Sequence, residues 1–186
     1  MKAVSTSIQE LSFLQGHKII RWIGTEMAVN GENESSTWSE SESQWKLELE
    51  QIEWSHPSIP YLQFTDVDIQ LATGKTLRLL SQLDDGTGLY GLYLVEIDKV
   101  SEASITEEWS IFRRRDIPEL PLGLARIEVL RKERANSVIE ANIFIATSTI
   151  RLLSAEVHPC IQGGCDIVEG DESILIQLNG VRPTCR

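Results

Sequence analysis

The residues best suited to metal or thiol chemistry lie near the C-terminal end of the sequence. They are His158, Cys160, Cys165 and Cys185. Imidazole and thiolate are the ligands that tetrahedral zinc takes, but no two cysteines are separated by two residues, the spacing typical of zinc sites. The glycines between Cys160 and Cys165 would also allow a redox or disulfide pair. Unremarkable thiols are the favoured interpretation, so no metal is predicted, and a zinc-stabilised structural domain stays open as an alternative.

Two glycine-containing segments resemble phosphate-binding loops. The six residues from Gly86 to Gly91 fit G-x-G-x-x-G, but that motif needs a helix after it, and Leu89 to Ile97 is typical of a strand. Gly74-Lys75-Thr76 matches the end of a nucleotide-binding loop whose first glycine is replaced by Ile69. Both segments are therefore predicted to be turns, and no cofactor is expected.

Nucleophilic catalysis requires a nucleophile with a base in reach. The three histidines are His17, His56 and His158, and no G-x-S-x-G elbow occurs. The chain is therefore predicted not to be an enzyme. Acidic residues are plentiful, however, and catalytic carboxylate pairs are spatial rather than sequential. A small β-rich enzyme or ligand-binding domain with a carboxylate and histidine site stays open as an alternative.

Negative charge is concentrated in one part of the sequence. From Gly31 to Asp68 there are nine acidic residues and a single base, Lys46, with Trp38, Trp45 and Trp54 in the same region. A one-sided charge field steers basic partners and speeds their association. Aromatic residues within a charged rim are typical of protein interfaces. A solvated loop beside a strand is the competing interpretation.

The acidic region is predicted to bind a basic protein partner. The predicted partner-binding residues are Glu32, Glu34, Trp38, Glu40, Glu42, Asp66 and Asp68. Compact acidic proteins that cover the basic active site of a toxin, commonly a nuclease, have these physical properties, and bacterial immunity proteins are an example. The expected function is accordingly that of a non-enzymatic toxin inhibitor.

Overall composition restricts the partners and the compartment. Lys and Arg number 17 against 28 Asp and Glu, giving a formal net charge of -11, which repels nucleic acids and anionic membranes. The first residues lack the apolar run of a signal peptide, and no stretch is long enough to span a membrane. Three cysteines, an odd number, favour a reducing compartment. A cytoplasmic protein is expected, and its oligomeric state is left open.

Short apolar runs separated by turns predict a mainly β fold, or α+β, as a sandwich, a partial barrel or a curved sheet. A short N-terminal helix is predicted over Ser7 to Gln15, and a mobile loop over 30–44. Arg113-Arg114-Arg115 is expected to pair with acids nearby in sequence (Glu107, Glu108, Asp116 and Glu119). Residues 1–186 are predicted to form one domain, with a possible subdivision near 116–122.

The pattern also predicts individual strands. They are His17 to Val29, Trp45 to Trp54 with a bulge near Gln51, a run containing Val67, Ile69 and Leu71, Thr76 to Leu83, Leu89 to Ile97, Glu107 to Arg115, Val138 to Ala146, Ile150 to Val157 and Ser173 to Leu178. Leu124 to Lys132 fits a helix face as well as a strand.

Overall fold

The computed structural model describes residues 8–29, 34–39, 44–49, 53–84, 88–102, 111–132, 137–160 and 164–179. The strands in these ranges are β1 Ile8–Gln9, β2 Lys18–Met27, β3 Glu34–Ser39, β4 Gln44–Leu49, β5 Leu62–Leu71, β6 Thr76–Asp84, β7 Leu89–Ile97, β8 Phe112–Asp116, β9 Gly123–Lys132, β10 Val138–Ile145, β11 Ser148–Pro159 and β12 Cys165–Leu178. The mainly β fold class is confirmed.

Two runs of consecutive strands form antiparallel meanders. The first joins β5, β6 and β7, and the second joins β9, β10, β11 and β12. Tight turns allow these connections, since Gly74 after β5 has a φ of 86° and Ala146 after β10 has a φ of 52°. The segment 123–132, which fitted two patterns, is a strand throughout.

The main sheet contains ten of the strands and curves until it partly closes into a ring. One edge of β5 pairs with β2, while its other edge is divided between β12, at Leu62 to Phe64, and β6, at Asp66 to Gln70. One edge of β2 is divided in the same way between β9, at Lys18 and Ile19, and β8. The ring therefore runs β5, β2, β9, β10, β11, β12 and back to β5.

Both faces of this curved sheet are covered in places. The larger core contains Phe64, Val67 and Ile69 of β5 together with Ile174 and Ile176 of β12. A smaller core lies on the opposite face, where Ile59 and Tyr61 pack with Val157 and Leu175. Burial on both faces explains why the central strands carry polar residues that are inaccessible to solvent.

The predicted N-terminal helix is wrong within the described residues. Ile8–Gln9 forms β1, which pairs with β7, and Leu11–Leu14 forms a single 3-10 turn. Leu11 and Leu14 are three residues apart and both buried, which suits a 3-10 turn because its side chains repeat every three residues. Residue 7, the first residue of the predicted helix, lies outside the described residues.

The predicted loop over 30–44 is also wrong in its central part. Residues 34–39 form β3, which pairs antiparallel with β4 from Glu34 opposite Leu49 to Ser39 opposite Gln44. A run of Ser, Thr and Trp has enough β propensity to pair with an alternating neighbour. The predicted bulge near Gln51 and the segment 107–110 of another predicted strand lie outside the described residues.

Candidate functional site

The acidic region contains a hairpin that is separate from the main sheet. β3 and β4 form a two-stranded sheet of their own, in which Trp38 lies directly opposite Trp45. Within the described ranges, neither strand pairs with any of the other ten. Glu34 and Trp38, two of the predicted partner-binding residues, are therefore on one strand of this hairpin. Glu32, Glu40 and Glu42 lie outside the described residues.

The two chain ends that lead into the segment containing this hairpin are held by main-chain and side-chain contacts. Val29, two residues after β2, donates its backbone N–H to the carbonyl of Glu53 at 2.8 Å, which brings the two ends of the 30–52 segment together. The next residue, Trp54, stacks under the guanidinium of Arg113, with 4.2 Å from Cζ to the ring centroid. The C-terminal end of the chain segment that contains the hairpin therefore lies next to the basic strand β8.

The arginines of β8 belong to a compact ion-pair network on β2, β5 and β6. Arg78 donates two hydrogen bonds to Asp68, from Nε at 2.6 Å and from Nη2 at 3.0 Å. Arg114 binds both aspartates, donating to Asp66 Oδ1 at 2.6 Å and to Asp68 Oδ2. The hydrogen bonds to Asp68 raise the pKa of Arg78, so its positive charge is retained.

The neighbouring arginines of β8 converge on one glutamate. Glu26 is buried, and its Oε2 accepts from Nε of Arg113 at 2.5 Å and from Nε of Arg115 at 2.6 Å. Arg115 also donates to Glu26 Oε1 at 2.8 Å and contacts Glu119 at 3.0 Å. The register explains the geometry, because Glu26 lies opposite Arg113 in the β2–β8 ladder.

The network changes how two predicted partner-binding residues are placed. The side chain of Asp68 has no exposed surface and that of Asp66 is 18% exposed, and both are paired with arginines. The predicted pairing of the arginine run with nearby acids holds for Arg115 with Glu119, whereas the main partners come from β2 and β5. Glu107 and Glu108 lie outside the described residues. The network can neutralise charge and hold β8 against β2 and β5.

A second, more exposed ion-pair group lies at the other end of β2–β8. Arg21 Nε donates to Asp116 Oδ1 at 2.6 Å, and Arg21 Nη2 donates to Glu102 Oε2 at 2.9 Å. These hydrogen bonds lower the pKa of Asp116 and of Glu102. A carboxylate whose pKa is lowered by folding stabilises the fold above its unfolded pKa, and that contribution disappears as the pH falls through the folded pKa.

Replacing Arg21 by glutamine should therefore have a pH-dependent effect. At pH 6 the variant is expected to be slightly less stable than the wild type, and the difference should shrink as the pH falls below about 4. Urea unfolding at a series of pH values measures both free energies. A difference that is the same at every pH would contradict this assignment.

The histidine and cysteine candidates lie around the turn between β11 and β12. His158 is opposite Asp166 in the ladder, and the backbone N–H of Cys160 donates to the Gly164 carbonyl at 3.2 Å. Cys165 is buried in the smaller core. No group of three His, Cys, Asp or Glu among the described residues is arranged to hold a metal ion. Cys185 lies outside these ranges.

A serine and a histidine meet in the segment after the hairpin. Ser58 Oγ lies 2.6 Å from His56 Nδ1, which also accepts the backbone N–H of Ser58 at 3.2 Å. The hydroxyl donates to the Gly164 carbonyl at 2.7 Å. Because the two residues are part of one turn, closed by a hydrogen bond from Ile59 N to His56 O, these contacts connect the segment to the β11–β12 turn.

A cleft of about 390 Å³ opens between β1, β7 and β9. Its lining residues are Gln9, Glu10, Leu11, Ser12, Leu92, Tyr93 and Lys132, with Asp84, Val129 and Val138. The Gln9 Oε1 and Tyr93 hydroxyl atoms are buried and have no hydrogen-bond partner among the described residues. Its size and mixed lining suit a small ligand. His158, the predicted histidine of a carboxylate site, is not among the lining residues.

Comparisons with protein-family models, curated proteins and solved structures found no match. Within the described ranges, no helix is long and apolar enough to cross a membrane.

Proposed function

We propose that this chain is a non-enzymatic binding protein that inhibits a basic protein partner, such as a nuclease toxin, in the manner of a bacterial immunity protein. The observation that carries this proposal is the separate β3–β4 hairpin in the acidic region. Its strands and the residues between and beside them carry Glu32, Glu34, Glu40, Glu42, Glu48 and Glu50, against Lys46 alone. Such a charge field favours encounter with a basic surface.

The backbone of the hairpin supports the same function. Two-stranded sheets are marginally stable in water and gain stability from additional packing or pairing. The outer edges of β3 and β4 pair with no other described strand. An extended segment of a partner can add to such an edge through main-chain hydrogen bonds, while the glutamates attract its basic side chains. The inhibitor would act in the cytoplasm, where it would protect the cell that makes it.

The buried network limits which acids a partner can use. Asp66 and Asp68 are already paired with Arg78 and Arg114, so their charges are largely neutralised inside the protein. The proposed interface therefore depends on the glutamates of the hairpin region and on Trp38. Trp54 and Arg113, which stack at the hairpin base, would hold the hairpin in position for association.

Reversing hairpin charges should weaken partner binding strongly. We expect Glu40→Lys/Glu42→Lys to lower the association rate with a basic nuclease toxin by at least about tenfold, and to reduce the salt dependence of that rate. Biolayer interferometry against purified basic nuclease toxins at several ionic strengths measures both. Protection of growth during toxin expression measures inhibition.

The matched control is Asp98→Lys/Asp166→Lys, which changes the net charge equally at exposed positions outside the hairpin. It should retain binding within about threefold of wild type. Equal losses in the two double variants would mean that net charge acts without a defined interface. If wild-type protein neither binds nor protects against these toxins, inhibition of such nucleases is excluded.

A ligand-binding β-domain is the second candidate, and the cleft beside β9 is the observation that favours it. Apolar walls from Leu11 and Leu92 are combined there with the charged side chains of Glu10 and Lys132. Ligand-observed NMR with a library of small polar compounds distinguishes the two functions. A specific ligand in this cleft would show that the cleft, and not the hairpin, is the main functional site.

A further inference from the structure

The outer face of β9 exposes large apolar side chains on both sides of a charged pair. Leu124 and Leu130 are 66% and 45% exposed, and Arg126 and Glu128 lie exposed between them. The intervening residues face the other way, where Ala125 is buried and Ile127 and Val129 pack against the larger core. Exposed apolar side chains that join into a continuous patch mark a surface that binds a partner.

These four side chains are arranged symmetrically about Ile127. Leu124 and Leu130 are each three positions from it, and Arg126 and Glu128 are each one position from it. A twofold axis that lies between the two sheets, perpendicular to β9 and over Ile127, would place Leu124 against Leu130 of a second copy and Arg126 against Glu128 of that copy. The ion pair between Arg126 and Glu128 would then occur twice, once on each side of the axis, as an isologous interface requires.

Neighbouring strands enlarge the same apolar surface. Ile20 of β2 and Leu122, just before β9, are further large hydrophobic residues with substantial exposure. Lys18 lies opposite Leu124 in the β2–β9 ladder, which places this end of β2 beside the leucine. On the other side, Phe144 of β10 lies opposite Arg126, so the surface extends across three strands.

The charged pair is partly held in place before any association. The guanidinium of Arg126 stacks over the Phe144 ring, with 3.9 Å from Cζ to the ring centroid. This contact restricts the arginine side chain on the outer face and lowers the entropy cost of ordering it in a complex. Sheets that pack face to face align their strands within about 30°, which keeps positions close to the axis in contact.

We propose that this protein forms a symmetric homodimer through the outer face of β9, with Leu124 packed on Leu130 and Arg126 paired with Glu128 across the twofold axis. The charge complementarity selects a second copy of this chain, because the same face supplies both halves of each ion pair. The proposed dimer is independent of the β3–β4 hairpin, which leaves one binding element on each subunit.

Charge exchange tests the dimer directly. Arg126→Glu and Glu128→Arg each place like charges at two positions of the interface, so each should weaken dimerisation by at least about tenfold. The double variant Arg126→Glu/Glu128→Arg restores opposite charges and should recover most of the wild-type affinity. Sedimentation velocity over a range of concentrations measures the dimer dissociation constant, and circular dichroism verifies that each variant is folded.

Three results would overturn the proposal. They are a wild-type protein that stays monomeric at the highest attainable concentration, single variants that dimerise normally, and a double variant no better than either single one. Leu124→Lys gives an independent measurement, since a lysine buried in the contact between Leu124 and Leu130 should also abolish the dimer. The Glu40→Lys/Glu42→Lys variant should remain dimeric, so failure of the hairpin function and failure of the dimer are distinguishable.

Discussion

Replacement of Asp68 by asparagine is expected to lower the free energy of unfolding by about 3–5 kcal/mol. The carboxylate is completely buried and accepts hydrogen bonds from Arg78 and from Arg114. Asparagine keeps the size of the side chain but removes its charge, which leaves Asp66 as the nearest anion for two arginines. Arg114 is 9% exposed and has little access to water as a replacement partner. Urea unfolding at neutral pH measures the loss.

Asp116→Asn is the matched control for this substitution. Asp116 also pairs with an arginine, Arg21, but its side chain is 55% exposed. Exposed ion pairs contribute little, so the control should lose less than about 1 kcal/mol. A double-mutant cycle of Asp68→Asn with Arg78→Gln should give a coupling energy of about 1–3 kcal/mol. Equal losses at Asp68 and Asp116 would show that burial of the network contributes nothing.

Phe64→Ala is expected to destabilise the protein by about 3–5 kcal/mol, because it removes a completely buried aromatic ring. Phe64 lies at the position where β5 pairs with both of its neighbours in the closed sheet, opposite Glu26 of β2 and Ile174 of β12. Its ring fills the space over Gly24, where an added Cβ would come within 2.8 Å of Phe64 Cδ1. Phe64 therefore combines complete burial with backbone pairing to two neighbouring strands.

Thermal and urea unfolding measure the effect, with Phe112→Ala as the control. Phe112 is on the edge strand β8 and is 38% exposed, so its truncation should cost less than about 1 kcal/mol. The Phe64 variant should also lose protection from hydrogen exchange at the β5–β12 junction before the β6–β7 hairpin does. If Phe64→Ala were as stable as the wild type, the sheet would not close between β5 and β12 in solution.

Local sequence patterns predicted most of the strands, since alternation requires only neighbouring residues. The order of Val67, Ile69 and Leu71 correctly indicated one buried face of β5. Alternation does not reveal whether the opposite face of β5 is also covered. Asp68 lies on that opposite face and is as buried as Val67 and Ile69. Asp66 and Asp68 were therefore predicted to bind a partner although their side chains meet Arg78 and Arg114 inside the protein.

The ion-pair network shows that local sequence patterns do not identify partners that are distant in the sequence. The run Arg113 to Arg115 is obvious in the sequence, and Glu119 was identified as a partner at a separation of four residues. Glu26 is separated from Arg113 by 87 residues, and the pairing of β2 with β8 that joins them leaves no local pattern. The exposed face of β9 was not identified from the sequence because a helix and a strand both fitted this segment, and only the strand places Leu124, Arg126, Glu128 and Leu130 on one side.

Closure of the ring between β5 and β12 has a consequence for synthesis on the ribosome. β5 is translated early. The segment of β12 that pairs with it, residues 174–176, follows about 110 residues later. Until then the Leu62–Phe64 part of one β5 edge lacks its backbone partner, and Phe64 lacks part of its cover. The nascent chain should therefore depend on chaperones until the last strand emerges, and slow translation of 123–164 would lengthen its exposure to aggregation.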